Sequence, residues 1–302
     1  MSSPSAADSV APGELEGVLP ALDTHVHLWR FVASEHPWMT PAMDMLKRDF
    51  LAEQLQAHLH ENHVRGAIAV QARSSLDETR WLLGLAERHS FIAGVVGWVP
   101  LTAPDLARHL DALAPHPALL GVRHVGVDDP DDELLLRPDF DRGIAALAKY
   151  DLAYDIIIRE RHLPQALKLV DRHPRQTFVL DHMARPEISR EPSAPWQSHL
   201  RLLAERPNVY CKLSGLTTGA DWQRWDTEDL RPYTDLVLEA FGPRRLMFGS
   251  DWPMCLLSCE YRKWTETVQA LTAALSPDER AWLWCQTAQH AYRVYPRPSP
   301  AR

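Results

Sequence analysis

Eight short apolar runs, separated by longer segments with apolar residues every three or four positions, constrain the fold of this chain more than any other feature. The runs are ALDTHVHL (21–28), GAIAVQA (66–72), FIAGVVGWV (91–99), LLGVRHVG (119–126), LAYDIII (152–158), TFVLDHM (177–183), VYCKLSGL (209–216) and RLMFGSDW (245–252). Several are apolar on both faces, as in strands covered by helices on one side and filled by a barrel interior on the other. Segments such as ETRWLLGLAERH, DFDRGIAALAKY, LPQALKLVDRH, WQSHLRLLAERP and YTDLVLEAFGP supply helices between them. The pattern predicts an α/β fold, a single-domain (β/α)8 TIM-type barrel, and 302 residues suit one such barrel with extensions. A doubly wound open sheet is the alternative, but no GxGxxG or GxxxxGK(S/T) follows an early run. Two further helical patterns follow the eighth run and are expected to close the outer ring, the second opened by Ser276 as N-cap before Pro277 and Glu279. Residues 1–18 and the Pro-rich 297–302 read as tails around a barrel domain at 19–296.

Net charge is −8, with basic and acidic residues interspersed, so no electropositive stripe exists for nucleic acid. No run approaches the roughly 18 continuous apolar residues of a membrane span, and the N-terminus lacks a secretory signal. The four cysteines form no pair of CxxC units and read as free thiols. A cytoplasmic protein acting on a small molecule is the expectation, with homo-oligomer formation left open.

His25 and His27 in DTHVH stand two apart on a strand and project from one face, so two imidazoles can converge on one ion or one substrate atom. A metal site needs three or four such groups from different elements. Barrels place reactive groups at the carboxyl ends of their strands, and those ends here carry Arg123 and His124 (GVRH), Asp181 and His182 (LDHM), and Asp251 (GSDWP). Polar groups are costly to bury unpaired, so their accumulation points to a shared site. Lys212 and Ser214 alternate on one face of the seventh run, where substrate contact and a buried ion pair are both open. Trp29 and Trp252 offer indole walls for a pocket, with core packing as the competing reading. Asp181, beside His182, would turn to the opposite face of a regular strand and is read, with Asp23, as structural.

DTHVHLW, GVRH, DHMARP, CKLSGL and FGSDWP, in this order over residues 23–253, resemble the amidohydrolase-related branch of the amidohydrolase superfamily, especially the lactonases that open sugar-acid lactones or 2-pyrone-4,6-dicarboxylate. The resemblance implies the barrel fold, catalytic roles for Asp251 and His182, and metal ligands drawn from His25, His27, His182 and Asp251. It also implies substrate contacts through Arg123 and Tyr154, to which the residues themselves add His124, Trp29, Lys212 and Trp252. Many two-metal members carry a carboxylated lysine at the end of the fourth strand. GVRH takes that place here and DIIIRE lacks the usual fifth-strand histidine, so one divalent ion, zinc foremost, or none is expected. The expected reaction is hydrolysis of an aldonic lactone such as fucono- or rhamnonolactone. Asp251 would deprotonate water, its basicity raised by partial desolvation, and Arg123 would grip a carbonyl or carboxylate through its planar fork. Decarboxylation of an aromatic or unsaturated acid around one metal is the rival chemistry, and a non-catalytic binding barrel is the rival of another class.

Overall fold

The computed structural model describes residues 21–125, 131–189 and 191–294, and the expected tails at 1–18 and 297–302 lie outside the described residues. Each of the eight apolar runs coincides with a strand, the second strand starting two residues ahead of its run: β1 Ala21–Val26, β2 Val64–Val70, β3 Ile92–Gly97, β4 Leu119–Val125, β5 Ala153–Ile157, β6 Phe178–Leu180, β7 Val209–Leu213 and β8 Leu246–Phe248. All are parallel and each pairs with the next in chain order. A bridge between Val26 and Trp252, with the Thr24 hydroxyl donating to the Phe248 carbonyl at 2.7 Å, joins the last strand to the first. Helices such as Ala52–Glu61, Leu76–Arg88, Leu163–Arg172 and Thr227–Phe241 return the chain between strands. The result is a (β/α)8 barrel.

Alternation along the strands sorts side chains into two cores. Phe178, Leu180, Cys211 and Leu213 face outward into the layer between sheet and helices. Residues from every strand (Leu22, Ile68, Val70, Val96, Leu120, Ala153, Val179, Tyr210 and Met247) meet inside the barrel. Cys285, Ala288, Ala291 and Tyr292 join this inner cluster. The last helical segment, Pro277–Ala281 running through a π turn at Trp282–Gln286 into Thr287–Tyr292, therefore plugs the barrel floor instead of completing the outer ring. Its start is the expected one, with Ser276 Oγ accepting from Glu279 N at 3.3 Å and Glu279 Oε2 accepting from Ser276 N at 2.8 Å.

Two irregularities change the phase of the alternation where the site is built. In the β3–β4 pairing Val95 sits opposite Leu119 but Val96 opposite Gly121, a one-residue shift that lets both Leu120 and Arg123, three apart, face the interior. In β1 the register slips between Asp23 and Val26. Leu22 and His25 consequently both face in, while Asp23 turns outward to accept hydrogen bonds from Tyr261 Oη at 2.9 Å and Ser250 N at 2.9 Å.

Candidate active site

At the carboxyl mouth of the barrel, Asp251 Oδ1 lies 3.5 Å from His27 Nε2, 3.8 Å from His25 Nε2 and 3.9 Å from His182 Nε2. This oxygen is buried and has no well-aligned hydrogen-bond partner among the described residues. The two β1 imidazoles also face each other, with 3.2 Å between their Nε2 atoms. His27 Nδ1 is 2.8 Å from the Val70 carbonyl, an acceptor only, so Nδ1 carries the proton and Nε2 presents a lone pair. Ligands about 2.0–2.1 Å from a tetrahedral ion stand roughly 3.3 Å apart, close to these separations. The donor atoms of His25, His27 and Asp251 thus fit a divalent cation, and the unpartnered carboxylate oxygen is the group it would satisfy.

Unusual backbone brings these side chains together. Leu180 ends β6, and His182, Met183, Ala184 and Arg185 all take positive φ, between 48° and 64°. The left-handed turn swings His182 back over the mouth, so that both Asp181 and His182 face the site. Ser214 Oγ meets His182 Nδ1 at 2.8 Å. Gly215, at φ 66°, follows, and a Cβ there would come within 2.6 Å of the same nitrogen. Asp251 also has positive φ, and its N–H donates to the His25 carbonyl at 2.8 Å.

A charged layer lies directly beneath. Lys212 Nζ is 2.5 Å from Asp155 Oδ2, 3.0 Å from Asp181 Oδ1 and 3.2 Å from His25 Nδ1. Arg123 NH1 is 3.1 Å from Asp181 Oδ2 and 3.2 Å from His25 Nε2, while its NH2 donates to the Gln71 carbonyl. From the floor, Tyr292 Oη donates to Asp155 at 2.7 Å. Burial pushes Asp155 up to about 6, against the attraction of Lys212, and it remains ionised at neutral pH. Burial also opposes charge on Asp181, but Lys212, His25 and Arg123 outweigh it and hold this carboxyl well below the ordinary range. Two cations and two carboxylates therefore balance. Burial lowers His25 well below its ordinary value and brings His182 down to about 4, so both are neutral at pH 7.

The amidohydrolase family profile matches residues 22–294. The chain belongs to the amidohydrolase family. An L-fucono-1,5-lactonase from Burkholderia multivorans is 41% identical over 292 residues, covering 93% of this chain and 98% of that protein. A second L-fucono-1,5-lactonase, from Burkholderia ambifaria, is 36% identical and covers 92% and 97% respectively. The crystal structure of a Burkholderia multivorans amidohydrolase with bound zinc superposes with a TM-score of 0.87 at 41% identity, covering 91% of this chain and 100% of that one. Among the described residues no helix is long and apolar enough to cross a membrane.

Several expected contacts of this amidohydrolase are placed differently by the structure. Tyr154 points away from the interior: Ala153 and Asp155 take the inward positions of β5, and Tyr154 packs edge-on against Phe140 and Phe178, its hydroxyl bonded to the His124 backbone. Lys212 faces inward and is fully enclosed, with Asp155 and Asp181 as its ion partners. Trp29 and Trp252 are each 1% exposed and pack on opposite sides of Phe50, as core residues. The Arg123 fork is occupied by Asp181 and Gln71, which removes the bidentate grip expected for a substrate carboxylate. His124 stays at the rim, half-buried, with its ring 6.5 Å from that of Trp98.

Asp181 is not peripheral, because it continues the inward phase of Val179. Burial opposes the charge on Asp251, yet the His182, His27 and His25 imidazoles hold its carboxyl well below the ordinary range, the reverse of the expected rise. Asp155 was missed although it is the single charge inside LAYDIII, whereas nothing in TAQHAYRVY marked Tyr292 as its partner.

Proposed function

We propose that this amidohydrolase hydrolyses the ring ester of a sugar-acid lactone, with L-fucono-1,5-lactone the first substrate to test. The observation that carries the reading is the Asp251 carboxylate oxygen, without a well-aligned hydrogen bond among the described residues and ringed by three imidazoles at the open end of the barrel. The similarity to curated lactonases along nearly the whole chain supports the choice of substrate. Asp251 accepts a proton from a water molecule as the water oxygen bonds to the lactone carbonyl carbon. With Ser214 Oγ donating to its Nδ1, His182 carries an Nε2–H at the mouth, and this donor faces the developing oxyanion. Collapse breaks the bond to the ring oxygen, which takes the proton back from Asp251, and the product acid ionises. His25, His27 and Asp251 would hold a divalent ion, zinc foremost, with His182 beside it. When bound, such an ion supplies Lewis acidity toward the carbonyl. Arg123 and Asp181 hold His25 from below, and His124 with Trp98 offers a rim surface for the sugar ring.

A panel of aldonic lactones, followed by acid release with and without a chelator, tests the reading. Turnover of fuconolactone above the spontaneous rate is expected. No acceleration of any lactone, with carbon dioxide released from aromatic acids instead, would replace hydrolysis by decarboxylation.

A further inference from the structure

His25 Nδ1 has two competing neighbours. Lys212 Nζ, 3.2 Å away, can only donate to it, and Asp181 Oδ1, 3.3 Å away, can only accept from it. Asp181 Oδ1 is paired with Lys212 Nζ at 3.0 Å but makes no well-aligned hydrogen bond among the described residues, so a lone pair is left to accept from this nitrogen. On the other side of the ring, His25 Nε2 faces the lone pair of His27 Nε2 at 3.2 Å. Two lone pairs at that distance repel unless a proton or a cation stands between them. With the protein alone, a proton on His25 Nε2 completes an unbroken series. Lys212 donates to Nδ1, Nε2–H donates to His27, and His27 Nδ1–H donates to Val70. Arg123 NH1 carries two protons: one goes to Asp181 Oδ2, and the other lies 3.2 Å from His25 Nε2, where it competes with an Nε2–H and so sides with Asp181.

A cation between the β1 histidines requires the other tautomer, with Nε2 bare and the proton on Nδ1. That proton then points at the Lys212 ammonium unless Asp181 accepts it. We propose that Lys212 and Asp181 are opposed positioning residues at His25 Nδ1, Lys212 selecting the Nε2–H tautomer and resisting cation uptake, Asp181 accepting Nδ1–H and favouring it. Lys212 is itself held by Asp155 and, through it, by Tyr292 of the floor-plugging helix. The inference rests on the reading of His25, His27 and Asp251 as a cation site.

The test is zinc affinity, measured by competition with a chromophoric chelator on the folded full-length chain. Lys212→Met should bind zinc about tenfold or more tightly than wild type, since it removes both the competing donor and a buried positive charge. Asp181→Asn should bind about 10–100-fold more weakly, the usual loss when the partner of a ligating histidine is removed. Lys212→Met leaves two carboxylates short of a partner and can fail to fold. In that event Asp181→Asn and the histidine ¹⁵N spectrum of wild type decide. The resonances lost in His25→Gln should report Nε2–H in chelator and Nδ1–H at zinc saturation. Equal affinities in wild type and Lys212→Met, or an Nδ1–H tautomer in chelator, overturn the proposal while the cation site stands. Absence of zinc binding in both proteins overturns the cation site and the proposal with it.

Discussion

The floor of the barrel and the layer above it are built by the same strands and hold opposite chemistry. Ala153 and Asp155 are successive inward positions of β5, Val179 and Asp181 of β6 and the turn that follows it, and Tyr210 and Lys212 of β7; in each pair the first joins the apolar floor and the second the charged layer. Burying the floor residues is favourable by the usual hydrophobic gain. Burying Arg123, Asp155, Asp181 and Lys212 incurs several kcal/mol of desolvation per ion, which Coulomb attraction offsets only when every charge is paired. Here they are paired two against two. The floor accounts for stability, then, and the charged layer for the placement of His25 beneath the mouth.

The comparison fails if the mouth behaves like the floor. Asp251→Asn nearly preserves shape but removes the charge that accepts a proton, and turnover should fall about 100-fold or more. Folding should survive, because removal of an unpartnered oxygen's charge breaks no packing in the interior. A folded variant whose metal content matches wild type and whose turnover is near normal would exclude Asp251 as the base. Met247→Ala, on the floor, should do the opposite. It should lower unfolding free energy by about 2–5 kcal/mol in denaturant titration while kcat changes little. A large loss of kcat in a variant that still saturates with substrate would join the two layers into one functional unit.

Acid should expose a second contrast. His182 titrates near 4 in the folded protein and near 6.5 when unfolded. Between those values the unfolded chain binds a proton that the folded chain refuses, so stability is lost as pH falls from about 6.5 to 4, by about 1–3 kcal/mol for this group. In chelator, His182→Asn should flatten that slope relative to wild type. Parallel slopes would mean that His182 is not buried neutral. Smaller again is Arg123→Lys, which keeps the charge but loses the fork that joins Asp181 to Gln71. A drop in melting temperature with roughly tenfold lower kcat and little change in KM is expected. A raised KM at unchanged stability would restore Arg123 as a substrate ligand.

The barrel itself was legible because its signal is repeated eight times and needs only alternation, which survives small errors in the ends of each run. His25, His27, His182 and Asp251 were legible because they end those runs. What alternation alone misplaces depends on backbone irregularity. The β4 shift turns Arg123 inward, and the left-handed turn at His182–Arg185 lets adjacent residues share a site. No composition or periodicity marks either feature in non-glycine residues. The floor-plugging role of the last helix was hidden for another reason: its amphipathic pattern fits an outer helix equally well, and only tertiary packing decides between the two.

Tyr154 gives the smallest expected effect and the sharpest test of strand phase. Resemblance placed it against substrate, yet β5 runs without a bulge in its pairing with β4, from Gly121 opposite Ala153 to Val125 opposite Ile157. An unbroken register forces Tyr154 outward once Ala153 and Asp155 face in. Its ring is 1% exposed between Phe140 and Phe178, and burial pushes its hydroxyl far above the ordinary tyrosine range, so it stays a neutral phenol bonded to the His124 backbone. Tyr154→Phe keeps the ring packing and removes that one bond, which should lower stability by about 1 kcal/mol. The kcat/KM for lactone should stay within about twofold of wild type, because a neutral hydrogen bond in the outer layer contributes nothing that differs between ground and transition states. A tenfold or greater fall in kcat/KM with unchanged stability would mean that the ring reaches the mouth in the working enzyme, and with it that the register of β5 shifts when substrate binds.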